Sequence, residues 1–544
     1  MKRKLLTLGV ALIFTLSATL SAFAAANPAK IITRNWTNFR GNQSHNAVVS
    51  DKLPTSAENA ALYWATKAGE GYGDGAIGSP ILVDGYLYFN QGKKIKKMDA
   101  MSGKVVATGK MVERSNFSII PPTYGDGKIF VGLANGRIQA FDAKTLKSLW
   151  VYQDKLKGQP NSPITYYKGY VYTGFWNSET RIANFACVSA KDGNTKKTTE
   201  KKSARWVYPN AGGYYWAGAY VSDNFVLVGT DDGDGGYTSQ TSRLLSLSPK
   251  TGKKIDSIEG LNADIRSNVS YDKVTDRYYF TSKGGSFYSV KVSKTGKLSD
   301  LKELDLGGMS TSTPAIYNGR AYVGVSGKGQ FDKYNGHRIA VIDLASFTIA
   351  YTASCMGYPQ TSGLISTAYE KSEGYAYVYF FENMTPGKLR YLKDKPGQTE
   401  VVDAVTETAA DGKTYTCAPV LFTPQQEQAQ YAICSPICDE YGTIYFKNDS
   451  AHMMALGSKI TSIKVTKQPK KTVYQAGEKF SKTGMKVTAY LANGKKKDIS
   501  QYVTVSTFPL KKGTRDITVY YQYQLYNDME QCDTLFTSVD ITVK

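Results

Sequence analysis

Short runs in which apolar and polar residues alternate recur along most of this chain, each broken by a turn pair such as Asp84-Gly85, Asp126-Gly127 or Asn318-Gly319. A period of two puts every second side chain on one face of an extended strand. Asp-Gly and Asn-Gly supply the two residues of positive φ that a tight hairpin needs. Residues 79–88, 122–130, 162–172, 313–322 and 435–445 are copies of one unit: a short strand, a tight turn and a second strand. Weaker copies at 219–227, 269–280 and 367–379 complete a set of eight hairpins. Most are followed by a third strand and a second turn, as in 95–104, 138–145, 245–253 and 339–343, and then by a departing strand such as 148–152. Four antiparallel strands in each unit of roughly 40–70 residues is the pattern of a propeller blade.

A single blade cannot bury both of its faces, so blades stack around an axis, and an open ring would leave strand edges free. The expected fold is all-β: an eight-bladed β-propeller of four-stranded antiparallel blades over 27–458, then a small Ig-like β-sandwich over 459–544. Residues 61–67 precede the first hairpin and resemble the strand around Trp150. They are expected to give the last blade its outer strand and so close the ring. The long, polar stretch 381–433 is expected to carry an insertion into the seventh blade. Beyond residue 458, about seven short strands in roughly 85 residues fit the sandwich.

The first 26 residues stand apart from this pattern. Lys2, Arg3 and Lys4 precede an apolar run from 5 to 20 and a small-x-small site at Ala22-Phe23-Ala24. That is the pattern of a signal peptide, and no later run is long and apolar enough to span a membrane. The mature protein is expected outside the membrane, secreted or wall-associated. The 544 residues carry a net charge of +21. Their lysines are dispersed over turns and strand ends. This suits retention by an anionic cell-wall polymer; the chain carries no nucleic-acid-binding motif. The six cysteines are irregularly spaced and are expected to be buried thiols or to form one bridge.

The unit x-P-x-x-x-D-G-x-(V/I/L)-(Y/F), followed by D-A-x-(T/S)-G-K and a strand ending near Trp, resembles the quinoprotein-type repeat over about 36–457. That repeat builds eight-bladed propellers of the alcohol-dehydrogenase-like superfamily and the non-enzymatic propeller of an outer-membrane assembly lipoprotein. The run from Val465 to Tyr490 is similar to bacterial Ig-like repeats, which act as spacers or adhesive modules, often in Gram-positive bacteria. The enzyme branch of the resemblance implies a calcium or lanthanide ion, a carboxylate base and a planar quinone held between a Trp and a vicinal disulfide. This chain has no adjacent cysteine pair.

Candidate chemistry is sparse. Asp231, Asp232 and Asp234 sit in a glycine turn that could hold calcium, but the closing glutamate of an EF-hand loop is missing. No other cofactor is expected. His45, His337 and His452 are scattered and form no triad. Propeller geometry offers a better site, because the loops entering the innermost strands crowd the channel mouth. Here those loops contain Tyr72, Asp74, Asn116, Tyr214, Tyr215, Trp216, Arg266, Met309, Tyr358 and Gln360. Aromatic faces with a few polar groups suit a glycan, a peptide or a flat small molecule. The expected function is a non-enzymatic binding or scaffold protein of the cell envelope, recognising an extracellular protein, peptide or glycan. The rival is an extracellular enzyme at the same mouth, a quinone-dependent dehydrogenase or a polysaccharide lyase or hydrolase.

Overall fold

The computed structural model describes residues 35–544 except 72, 116–119, 179, 194–199, 234–240, 328–335, 411 and 525–531. The signal-peptide reading lies outside the described residues. Among the described residues, eight sheets with a core of four antiparallel strands follow one another through the propeller, and three of them carry further strands that join at an edge in parallel. The first runs through Ile81–Val83, Tyr86–Gln91, Lys94–Asp99 and Val105–Lys110. The eighth takes three strands from the end of the propeller, Ile437–Cys438, Ile444–Lys447 and His452–Ser458, and its outer strand from Ala60–Lys67. Trp64 stands opposite Ala455 in that antiparallel pair, so the ring shuts on its own beginning as expected.

Local chemistry explains the repeat. At four inner hairpins both turn residues have positive φ: Asp84 and Gly85, Asp126 and Gly127, Lys168 and Gly169, Asn318 and Gly319. Such turns match the right-handed twist of the strands they join. At the end of the third strand, Asp99 Oδ1 accepts from the backbone N–H groups of Met101 and Ser102 and from the Ser102 hydroxyl. Asp142 does the same for Lys144 and Thr145, and Asp343 for Ala345 and Ser346. The Asp of the D-A-x-(T/S) motif therefore caps this turn. The tryptophans then tie neighbouring sheets together. Trp64 donates its indole N–H to Ala100 O (3.2 Å), Trp150 to Ala190 O (3.4 Å) and Trp206 to Pro249 O (2.9 Å), each in the second turn of the following sheet.

The insertion falls in the seventh sheet as expected, but its docking does not follow from the sequence. It lies between the third and fourth strands of the seventh sheet, but its hairpin Val405–Thr408 and Thr414–Cys417 joins the edge of the sixth, where Ser354 pairs with Cys417. The C-terminal unit, from Ile460–Lys467 to Thr542–Val543, forms small sheets of three, two and three strands. One apolar core runs without a break from the closing seam, through Trp64 and Tyr445, into this unit at Val519 and Val539. Among the described residues, no helix is long and apolar enough to cross a membrane.

Candidate functional site

One end of the propeller channel is filled by the chain itself. Residues 36–49 cross the inner strands of five sheets in turn. Trp36 and Leu82 exchange backbone hydrogen bonds at 2.7 and 3.0 Å, and Thr37 O accepts from Tyr124 N. The Gln43 amide donates to Val221 O, Ser44 O accepts from Tyr271 N, and His45 Nδ1 lies 3.0 Å from Val269 O. Val48–Val49 then pairs in parallel with Leu364–Ser366. Arg40 is buried here and donates to Ser362 O and Gly363 O, and burial pulls its pKa down to about 9. Phe39 faces the remaining channel void, whose walls come from the loops that enter the inner strands.

That void is narrow, about 40 Å³. It is lined by Phe39, Ile120, Trp216, Arg266, Thr311 and Gln360 among others. A space of this size holds little more than water. An adjoining open cleft is far larger, about 750 Å³, and is walled by Met309, Tyr358, Gln360, Asn383, Gln430 and Tyr431. Gln360 and Ile433 border both. Tyr358 is fully buried behind this wall, and its hydroxyl accepts from Thr311 N at 2.9 Å. Burial pushes its pKa up to about 12.

The residues picked from sequence divide into groups. Trp216, Arg266 and Gln360 meet at the void, and Met309, Tyr358 and Gln360 meet at the cleft. Tyr215 packs against Trp176 (centroids 5.0 Å) and Trp216 (4.9 Å), with the Arg266 guanidinium 4.4 Å over its ring. Tyr214 is instead buried in the wall, its hydroxyl donating to Tyr208 O. Tyr72, Asn116 and Asp234 lie outside the described residues, as does the side chain of Asp74. Asn383, Gln430 and Tyr431 were missed, because they come from the stretch read only as an insertion.

The calcium-loop reading meets a different arrangement. The buried Asp231 carboxylate is held by Arg266 at 2.6 Å, and the same guanidinium reaches Asp264 at 3.0 Å. Lys283 approaches Asp264 at 3.6 Å, and Asp264 also accepts from the Asp232 backbone N–H. Burial raises the Asp264 pKa against the pull of Arg266. Asp231 therefore faces a cation that the chain already supplies. Among the described residues no three His, Cys, Asp or Glu side chains converge as a metal donor set. Cys187, Cys355, Cys417, Cys434 and Cys438 are buried free thiols. Trp216 could offer one face to a flat ring. With the nearby carboxylates tied to Arg266 and Lys283, no vicinal thiol pair and a void of about 40 Å³ beside it, the residues do not fit a calcium–quinone group.

Residues 55–205 match the family described as outer membrane protein assembly factor BamB, and residues 467–527 match the bacterial Ig-like domain, group 3. The repeat at residues 55–205 is thus similar to the one that family model describes. The chain is 26% identical over 242 residues to the dehydrogenase subunit of a quinone alcohol dehydrogenase from Gluconobacter oxydans, covering 41% of this chain and 29% of that one. The matching subunit from Acetobacter aceti is 25% identical over 247 residues, covering 42% and 30%. The chain thus spans under a third of the length of these curated relatives. Among solved structures, the quinohemoprotein alcohol dehydrogenase from Comamonas testosteroni shares the fold, with a TM-score of 0.53, 14% identity, and coverage of 80% of this chain and 83% of that one.

Proposed function

We propose that this chain is an exported, non-enzymatic binding protein of the cell envelope, and that the open cleft at the channel mouth takes an extended polypeptide segment. The observation that carries this reading is the cleft itself. It offers about 750 Å³, with Met309, Ile433, Tyr358 and Tyr431 to receive an apolar side chain and Gln360, Asn383 and Gln430 to hydrogen-bond a backbone. Arg266, Asp231 and Asp264 nearby are spent on one another, and Asp449, the acid in the cleft wall, lies 3.7 Å from the Lys447 ammonium. The filled far end of the channel supports a site approached from one face only. The net charge of +21 would hold the protein to anionic wall polymers, in a salt-sensitive way.

The test is a peptide array probed with the full chain. Retention of peptides that carry an apolar anchor is expected, with affinity lowered about tenfold, or roughly 1.4 kcal/mol, by Gln360→Ala with Tyr431→Ala. Equal retention by the variant would overturn the placement at the mouth. The likeness to quinone alcohol dehydrogenases keeps one rival reading in view. It requires a changed absorption spectrum and a raised Tm on adding a quinone with calcium. Neither is expected.

A further inference from the structure

We propose that the cleft between the propeller and the Ig-like domain is a second binding site, for a short neutral oligosaccharide. It is separate from the channel mouth and independent of the function proposed for that mouth. The strand Asp516–Gln524 of the Ig-like domain packs on Ala60–Lys67, the outer strand of the eighth sheet. Polar contacts fix the two walls. Tyr502 donates to Asp99 Oδ2 at 2.9 Å, Asn493 donates to Tyr441 O at 3.0 Å, and Lys497 reaches Asp439 at 3.5 Å. Tyr63 and Tyr523 meet edge to face, with ring centroids 5.9 Å apart. A preformed cleft saves the ordering cost that a flexible linker between domains would impose on a ligand.

The cleft measures about 560 Å³, within the range of small-molecule sites. Its lining has two kinds of surface. Tyr63, Trp64, Tyr521 and Tyr523 give a largely buried aromatic base, and exposed Gln501, Gln522, Lys104 and Thr504 give a hydrogen-bonding rim. No aspartate or glutamate lines it, so it does not suit a metal ion or a cationic ligand. Lys104 is its one charged lining residue, too little for a polyanion. A neutral sugar chain presents a ring of hydroxyls, and exposed amides and hydroxyls around a mostly buried aromatic floor can hydrogen-bond them without a charged partner. The mouth cleft, with Met309 and Ile433 in its wall, has the contrasting, more apolar character.

The full chain would be titrated with cellotetraose, maltotetraose and chitotetraose, following the fluorescence of Trp64 and the heat of binding. Saturable binding of at least one of the three is expected at micromolar to millimolar concentration. Gln501→Ala with Gln522→Ala should weaken it about tenfold, because both side chains are exposed at the rim. An unchanged Tm of the double variant, with Gln522→Ala alone as the control because Gln501 also bonds Tyr502, separates lost binding from a loosened wall. Gln360→Ala at the mouth should have no effect. The proposal is overturned if none of the three binds, if the double variant binds as tightly as the parent, or if Gln360→Ala abolishes binding, which would place the sugar at the mouth. Displacement of the sugar by a mouth-binding peptide would overturn it as well.

Discussion

His45 shows how one buried side chain sets a pH response. Its ring is 2% exposed, and Nδ1 lies 3.0 Å from Val269 O, where only the N–H tautomer makes a hydrogen bond. Burial lowers its pKa from 6.5 to about 4; the bond to Val269 works against this, and the Arg40 charge adds to it. Between those values the unfolded chain takes a proton that the native chain refuses. The stability tied to this group is therefore full above pH 6.5 and lost as pH falls to about 4, at about 1.4 kcal/mol per pH unit. Asp51 works in the opposite sense. Burial raises its pKa from 3.8 to about 6, so its contribution is full below pH 3.8 and lost as pH rises to about 6. The clean measurement is therefore a difference. Asn tolerates the positive φ of 54° at this position. Thermal melts of His45→Asn should lose Tm less steeply than the parent from pH 6.5 to 4. Parallel slopes would mean that His45 does not titrate in this window.

At the scale of elements, the contact between a tryptophan and the next turn is the repeated joint. Gly103 and Gly252 both have positive φ, at 66° and 69°, and a Cβ on either would come within 2.6 Å of the ring of Trp64 or Trp206. In the second sheet the equivalent turn holds Leu146, also at positive φ, and there the neighbouring strand has Ala107 at the tryptophan's register, with Gly109 against Leu146. Ring and side chain thus exclude one another across the joint. Gly252→Leu alone should cost about 1–3 kcal/mol through overpacking. Placed in Trp206→Gly, the same change should cost clearly less, and a double-mutant cycle by denaturant unfolding would read the difference. Additive costs would mean that the two positions do not compete for the same space.

The inner hairpins and the turns after the third strands were legible in the sequence, because turn chemistry and alternation are local signals; the contacts of the tryptophans with those turns, which join separate sheets, were not. The seam at Trp64 was legible as well, since ring closure demands a strand from the start of the chain. Trp216, Arg266 and Gln360 could be placed at the mouth from topology alone. The path of residues 36–49 could not. Phe39, Arg40 and His45 sit in a polar run with no alternation, and backbone groups of five separate sheets determine their burial. The docking of residues 405–417 on the sixth sheet was hidden for the same reason, as a pairing with a distant edge.

At the scale of the whole molecule, the Ig-like domain behaves as a clasp on the ring. Its core is continuous with that of the closing seam, and its polar contacts fall on Asp99 of the first sheet and Asp439 of the eighth. It therefore bridges the eighth sheet, within which the ring closes, and the first. Tyr63 is central to this joint. It lies on the closing strand, donates to Ser458 O, packs over Gly457 and meets Tyr523 across the interface. Truncating a buried aromatic of this kind costs about 3–5 kcal/mol. The energy would come from the seam and the interface together, while each domain keeps most of its own core. The full chain should therefore melt in one calorimetric transition, and Tyr63→Ala should split it into a lower and a higher one as the coupling between propeller and clasp is lost. Two transitions already present in the parent protein would show that the shared core does not couple the domains, and the inter-domain cleft would lose its fixed walls.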